Sequence, residues 1–163
     1  MTDKTRISIA DAKATIHPAL AAAGVFDPVC ASVAAALAAA EAEGQGGPGF
    51  SRLSYYAAQA RSGKINTNAQ ITTTLRGPAS LLIDADQGFA FPALDTTLAA
   101  GLPVAETMGI FIMAIANSHH CGALSVQVEK MAKAGMIGLM VANAPKAIAP
   151  WGARDPFFGT NPI

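Results

Sequence analysis

Hydrophobic and polar positions along the chain predict helices in its first part. Apolar residues recur at helical spacing over residues 11–23 and again over residues 27–44, where Asp-Pro begins the second pattern. A short alternation over residues 6–10 predicts a strand ahead of them. Ser51 is expected to cap a further short helix. Polar and β-branched residues then alternate over residues 65–76 and predict extended chain.

The second part of the pattern alternates between apolar runs and helical periodicity. Strands are predicted over residues 80–84, 110–116 and 136–142, and helices over residues 94–100, 103–108 and 122–134. The last strand, helix and strand form a βαβ pattern, and continuously apolar strands are typical of a buried parallel sheet. The predicted fold class is therefore α/β, with N-terminal helices followed by a βαβ-containing mixed sheet.

Composition adds an expectation about the surface. Charged residues make up only 13% of the 163 residues, hydrophobic residues make up 52%, and the formal net charge is zero. Globular chains usually carry about a quarter charged residues, so we expect another chain or domain to cover part of the exterior. The balanced charge without a basic cluster argues against nucleic acid or a membrane as partner.

The N-terminus and the cysteines indicate a cytoplasmic protein. The polar N-terminal residues do not resemble a signal peptide, and the apolar run over residues 109–116 is too short to span a bilayer. Cys30 and Cys121 have no zinc-ligand spacing and are expected to be buried thiols. No metal site is predicted.

Two adjacent histidines, His119 and His120, follow directly on the predicted strand 110–116. Ligands of open α/β sheets bind beyond the carboxyl ends of the strands, which is where these residues are placed. A helix beginning next to them would keep an imidazole neutral near pH 7, and a neutral imidazole can exchange a proton with an alcohol. The alternative, that one ring packs and the other caps the helix, is about equally well supported.

Arg52 is a candidate anchor for a carboxylate. Arginine binds carboxylates bidentately, and Tyr56 lies one helical turn later on the same face. A solvated surface arginine is the alternative, and spacing alone favours it. The glycines of residues 46–49 could cradle a phosphate but lack a P-loop lysine. Asp84 and Asp86 could serve a metal or an acid–base role, although a turn after the strand explains them more simply.

Several motifs together resemble the type 2 malate/L-lactate dehydrogenase family. They are Asn117-Ser-His-His-Cys-Gly122, Gly135-Met-Ile-Gly138, Pro150-Trp-Gly152 and Gly159-Thr-Asn-Pro162. Upstream, the residues that resemble the family are Gly49, Arg52, Leu53, Tyr56, Gly63, Ile65 and Asn66. The resemblance extends over nearly the whole chain, and the motifs are specific as a set.

The resemblance implies an NAD- or NADP-dependent oxidoreductase of small 2-hydroxy acids, ureidoglycolate or cyclic imino acids. It also implies a non-Rossmann α/β fold and a homo-oligomer, usually a dimer. Residues 1–76 would form a helical, substrate-side segment, and residues 77–163 an α/β segment of the cofactor and active-site domain. The implied site residues are catalytic His120 with His119, substrate-binding Arg52, Tyr56 and Gly49, and cofactor-binding Asn143, Thr160 and Asn161.

The chain departs from the family pattern in three places. Gly47-Pro48-Gly49 stands where the family has Ser-His-Gly, so a histidine assigned as proton donor in some members is absent. Ala142-Asn143-Ala144 replaces Thr-Asn-Ser and loses two hydroxyl groups. The family chain is about twice as long, so we expect the fold to be incomplete without a complementary C-terminal chain or half.

Two further hypotheses remain open beside the oxidoreductase. The first is a hydrolase on the same scaffold, made by cleavage of a precursor after Ile163, with an N-terminal nucleophile on the second chain and no need for NAD. Serine, threonine or cysteine at position 164 would favour it. The second is a fragment that is inactive by itself.

Overall fold

The computed structural model describes residues 5–163, and the chain forms two compact units. The first ends at Ala123 and the second comprises Leu124–Ile163. The predicted division after residue 76 concerns function and stays a prediction. The predicted α/β class is confirmed, because residues 5–163 contain five α-helices and a three-stranded mixed sheet.

Helix α1 (Ile9–Ala21) opens the first unit. The Ser8 hydroxyl accepts the backbone N–H of Asp11 at 3.0 Å, which is the bond expected of an N-cap. The strand predicted over residues 6–10 is therefore wrong, because this cap starts a helix inside that range. Pro18 lies within the helix without ending it.

Helix α2 (Asp27–Ala42) packs against α1 through a face rich in alanine, as the sequence indicates. A 3-10 turn (Phe50–Arg52) and helix α3 (Leu53–Arg61) follow. The core of the first unit lies among these helices. Its largest fully buried apolar side chains are Ile16, Leu20, Leu37, Tyr56, Ile65 and Phe91.

The sheet contains β1 (Thr72–Gly77), β2 (Ser80–Asp84) and β3 (Ile112–Ala116) in that order. Strand β1 pairs antiparallel with β2, and β2 pairs parallel with β3 in a register that places Ile83 opposite Ile115. The carboxyl ends of β2 and β3 therefore lie side by side, and the residues that follow them meet at one edge of the sheet.

Helix α4 (Ala90–Met108) connects the two parallel strands. The sequence predicts two helices here, and the structure corrects this to one continuous helix with Pro103 inside it. Proline removes one hydrogen bond, but the helix is held by its buried face upstream of that point. Gly101 allows close packing, because a Cβ there would lie 2.5 Å from the Phe111 ring.

The second unit begins with helix α5 (Leu124–Lys133). The strand predicted over residues 136–142 is wrong, and so is the βαβ unit predicted from it. No strand among residues 5–163 pairs with this segment, whose Ile137, Leu139 and Val141 are 104%, 78% and 67% exposed. The observed βαβ unit is β2–α4–β3. Across residues 5–163, no helix is long and apolar enough to cross a membrane.

Candidate active site

Tyr56 is the centre of an aromatic cluster in the first unit. Its ring is fully buried on α3. It packs edge-on against Phe89 at a centroid distance of 5.5 Å and against His119 at 5.6 Å. The His120 ring lies 6.2 Å away on a tilted plane. The structure thus brings Tyr56 of α3 together with the adjacent residues His119 and His120 after β3, of which His120 is 64 positions away in sequence.

His120 is held by two hydrogen bonds at one ring nitrogen. Its Nδ1 lies 2.7 Å from the Tyr56 hydroxyl and 3.2 Å from the backbone nitrogen of Gly122. A backbone N–H can only donate, so Nδ1 is an acceptor and Tyr56 donates to the same atom. The neutral ring therefore carries its proton on Nε2.

The pKa of His120 is lowered, first by desolvation of the ring and then by the positive charge of Arg52. The sequence attributed such a shift to a helix N-terminus, but α5 begins only at Leu124. His120 is neutral at pH 7 for these reasons. As a residue it keeps more than a third of its surface exposed, so a small molecule can reach it.

His119 is more deeply packed than His120. Its backbone N–H donates to the carbonyl of Gly88 at 2.9 Å. Its Nδ1 is buried and has no hydrogen-bond partner within residues 5–163. Desolvation, followed by the charges of His120, Lys64 and Arg52, lowers the pKa of His119 to about 4. The structure gives this ring a packing position beside Tyr56, and its catalytic role stays a prediction.

Arg52 is partly buried at the end of the glycine-rich loop. Its Nε donates to the carbonyl of Gly47 at 3.1 Å, and its backbone N–H donates to Gly49 at 3.0 Å. Its charge lowers the pKa of both histidines and opposes the rise in the pKa of Tyr56 that burial causes. Arg52 thus lies close to the aromatic cluster and is not simply a solvated surface residue.

The carboxylates after β2 form a turn, as the simpler interpretation predicts. Asp84 accepts the backbone N–H of Asp86 at 2.8 Å and the side-chain amide of Asn117 at 2.8 Å. Asp86 has φ +50° and accepts from Asn66 at 2.9 Å. Within residues 5–163, no three His, Cys, Asp or Glu side chains are grouped as metal ligands.

The predicted cofactor residues all belong to the second unit. The Asn161 side chain accepts the backbone N–H of Ala144 at 2.9 Å and so ties two loops together. Gly159 makes this approach possible, because a Cβ there would lie 2.3 Å from the Ala144 carbonyl oxygen. Asn143 and Thr160 are exposed. Their cofactor role stays a prediction.

Sequence reasoning missed two contributors to the site. The backbone N–H of Gly122 selects the His120 tautomer, and the Glu41 carboxylate accepts the backbone N–H of Phe50 at 2.8 Å. The position of Glu41 at the end of an alanine-rich helix, just before a glycine-rich loop, was the only available indication.

Comparison with known proteins assigns residues 7–163 to the family model described as malate/L-lactate dehydrogenase. The chain is 40% identical over 157 residues to the (2R)-3-sulfolactate dehydrogenase (NADP(+)) of Chromohalobacter salexigens, covering 96% of this chain and 47% of that protein. It is 32% identical to the Delta(1)-pyrroline-2-carboxylate reductase of Ancylobacter novellus, covering 100% of this chain and 48% of that one.

Among solved structures, the malate dehydrogenase of Pyrococcus horikoshii matches with a TM-score of 0.89 and 29% identity. The match covers 97% of this chain and 45% of that structure. The chain therefore spans about half the length of the relatives it matches.

Proposed function

The chain belongs to the malate/L-lactate dehydrogenase family, and we propose that it takes part in NAD(P)-dependent hydride transfer on a small 2-oxo, 2-hydroxy or cyclic imino acid. The observation that carries this proposal is the cluster of Arg52, Tyr56 and His120. It combines a cation for a carboxylate with an imidazole oriented by two hydrogen bonds.

Arg52 would bind the substrate carboxylate. Because its Nε is bonded to the Gly47 carbonyl, the N–H groups of its two Nη atoms remain for a bidentate contact. A small acid held there would carry its C2 atom toward the neighbouring His120. This pairing of a carboxylate anchor with an adjacent imidazole fits 2-oxo and 2-hydroxy acids better than neutral alcohols.

His120 would handle the substrate proton. In reduction, the Nε2–H inferred for the resting ring donates a hydrogen bond to the C2 oxygen or the imine nitrogen. In oxidation, the ring would first shift to the tautomer protonated at Nδ1, in which Nδ1–H donates to the Tyr56 oxygen; the free Nε2 then accepts the hydroxyl proton and the ring becomes an imidazolium. Reduction would return that proton from Nε2 of the imidazolium. Because its pKa is lowered, His120 is mostly neutral already at its ordinary pKa of about 6.5. The rate of oxidation should therefore rise with pH to a plateau, and the midpoint of that rise should lie below about pH 6.5.

Because the histidine of the family's Ser-His-Gly motif is absent, His120 is the main candidate for proton transfer. Pro48 occupies that position and has no proton to give. His119 is partly buried and has a pKa of about 4, so it is a poor proton donor near neutral pH. We therefore assign proton transfer to His120 alone and a packing role to His119.

NAD or NADP would accept or deliver the hydride when bound. The exposed amide of Asn143 and hydroxyl of Thr160 are suited to hydrogen-bond the nicotinamide carboxamide, whereas Asn161 would act through the loop that it holds. The exposed apolar side chains of residues 137, 139 and 141 support association with a complementary C-terminal half or chain, and with a second copy. The relatives named above are dehydrogenases and reductases, and they lend no support to the hydrolase alternative.

The test is oxidation of NADH and of NADPH by the native protein with a panel of small 2-oxo acids and cyclic imino acids. We expect turnover with at least one acid, and His120→Gln should lower kcat by about a thousandfold, because general acid–base catalysis contributes that much. His17→Gln is the matched control, since His17 pairs with Asp27 elsewhere in the first unit. Absence of hydride transfer with every acid, or equal kcat values for the His120 and His17 variants, would contradict the proposal.

A further inference from the structure

Glu41 lies directly against the loop that carries Arg52, although it is the fifteenth residue of α2 and not part of that loop. Its Oε2 accepts the backbone N–H of Phe50 at 2.8 Å. A Cβ added to Gly49 would lie 2.3 Å from the same oxygen and 3.2 Å from the Glu41 Cα. Gly49 is buried beneath this carboxylate, and only glycine leaves room for the contact.

The same loop holds both the backbone and the side chain of Arg52. The carbonyl of Gly47 accepts from Arg52 Nε at 3.1 Å and from the Ser51 hydroxyl at 2.8 Å. The carbonyl of Gly49 accepts the backbone N–H of Arg52 at 3.0 Å. Hydrogen bonds therefore tie the covalent segment 47–50 to Glu41 at Phe50 and to the guanidinium group at Gly47.

We propose that Glu41 is a positioning residue for the guanidinium of Arg52. It fixes the loop whose Gly47 carbonyl holds Nε, so that the two Nη atoms face one way and are ready for a carboxylate. Preorganisation of this kind lowers the cost of ordering the arginine when the acid binds. The inference rests on the proposed role of Arg52 as carboxylate anchor. Glu41 itself does not contact the substrate.

The first test measures hydrogen exchange of the Arg52 Nε–H by NMR in the native protein. Glu41→Ala should raise the exchange rate about tenfold, because the loop loses a charge-assisted bond. Glu41→Gln keeps a carbonyl oxygen for the Phe50 N–H and should exchange nearly as the unaltered protein does. Glu43→Ala, which removes a carboxylate bonded to Gln45 at the same end of α2, is the matched control. An unchanged rate in Glu41→Ala would overturn the inference.

The second test is a double-mutant cycle on KM for a small 2-oxo acid. Arg52→Ala should raise KM about 100-fold and Glu41→Ala about tenfold, with little change in kcat. In the Arg52→Ala background, Glu41→Ala should have no further effect, because it acts through the arginine.

The outcomes distinguish the positioning role of Glu41 from the carboxylate-binding role of Arg52 on which it rests. If Arg52→Ala raises KM but the Glu41 effect is absent or fully additive, the positioning role is wrong and the anchor stands. If Arg52→Ala leaves KM unchanged, the proposed carboxylate anchor fails, and the exchange measurement alone decides whether Glu41 orders the arginine. If the rise in KM of Glu41→Ala came from a general loss of folding, Glu41→Gln should show the same rise. We expect Glu41→Gln to have nearly the KM of the unaltered protein.

Discussion

The two compact units use their apolar residues in opposite ways. In the first unit, Tyr56 and Ile83 are fully buried, and the chemical groups of the candidate site are built around that core. In the second unit, the extended segment 136–142 presents Ile137 and Leu139 to solvent at 104% and 78% exposure. The first unit therefore orients side chains around a buried core, whereas this segment of the second unit leaves its large apolar side chains exposed.

Hydrogen bonds follow the same division. His120 and Arg52 in the first unit are each fixed by contacts to other elements, which leaves one reactive face on each side chain. In the second unit, the Asn161 side chain holds a loop, while Asn143 and Thr160 stay exposed. The groups proposed for proton transfer and substrate anchoring are thus held by more hydrogen bonds than those proposed for cofactor binding.

The largest expected effect is on the pH dependence of the free energy of unfolding, and it comes from the partly buried ring of His119 in the first unit. His119 has a pKa of about 4 in the folded protein and about 6.5 when unfolded. As the pH falls from about 6.5 to 4, only the unfolded state gains this proton, so the free energy of unfolding decreases. The loss should be about 2 kcal/mol after allowance for solvent screening of the partly buried ring.

The substitution His119→Asn removes this titration, because asparagine does not titrate. The free energy of unfolding of His119→Asn, measured by denaturant titration at several pH values, should decline less over this pH range. His17→Asn is the matched control and should keep the full decline. If the free energy of unfolding of His119→Asn and of the unaltered protein depended on pH in the same way, the first unit would not desolvate this ring.

A smaller effect is expected for the variant Tyr56→Phe, which separates the packing of the Tyr56 ring from the hydrogen bond of its hydroxyl group. Tyr56→Phe keeps the buried ring and removes the hydroxyl that lies 2.7 Å from His120 Nδ1. We expect kcat to fall about tenfold, because the imidazole loses one of two groups that orient it, while the remaining bond from Gly122 preserves the tautomer. The thermal unfolding midpoint should change little. A large drop in that midpoint with unchanged kcat would assign Tyr56 to the core alone.

Much of the first unit follows from local patterns in the sequence. Periodicity predicts α1 and α2, and the three apolar residues at the centre of segment 80–84 predict β2. The prediction of two helices around Pro103 was wrong, because a well-buried helix tolerates the loss of the one hydrogen bond that proline removes. The apolar run of residues 136–142 has strand character, but a strand needs a neighbour, and local sequence does not reveal whether one is present.

The candidate site was predictable in its residue types but not in its connections. His120 follows a strand and Arg52 precedes a helix, and both positions can be read from the sequence. The contacts that orient them do not follow helix or strand spacing, since Tyr56 bonds His120 over 64 positions and Glu41 bonds Phe50 over nine. Such bonds depend on tertiary packing and leave no periodic pattern.

The most direct measurement is a crystal structure of the native protein with a small 2-oxo acid bound. The carboxylate should lie on the Nη atoms of Arg52, with the C2 oxygen within hydrogen-bond distance of His120 Nε2. A carboxylate bound away from Arg52, or a C2 oxygen that contacts neither His120 nor a water held by it, would contradict the assignment of anchoring and proton transfer to the first unit.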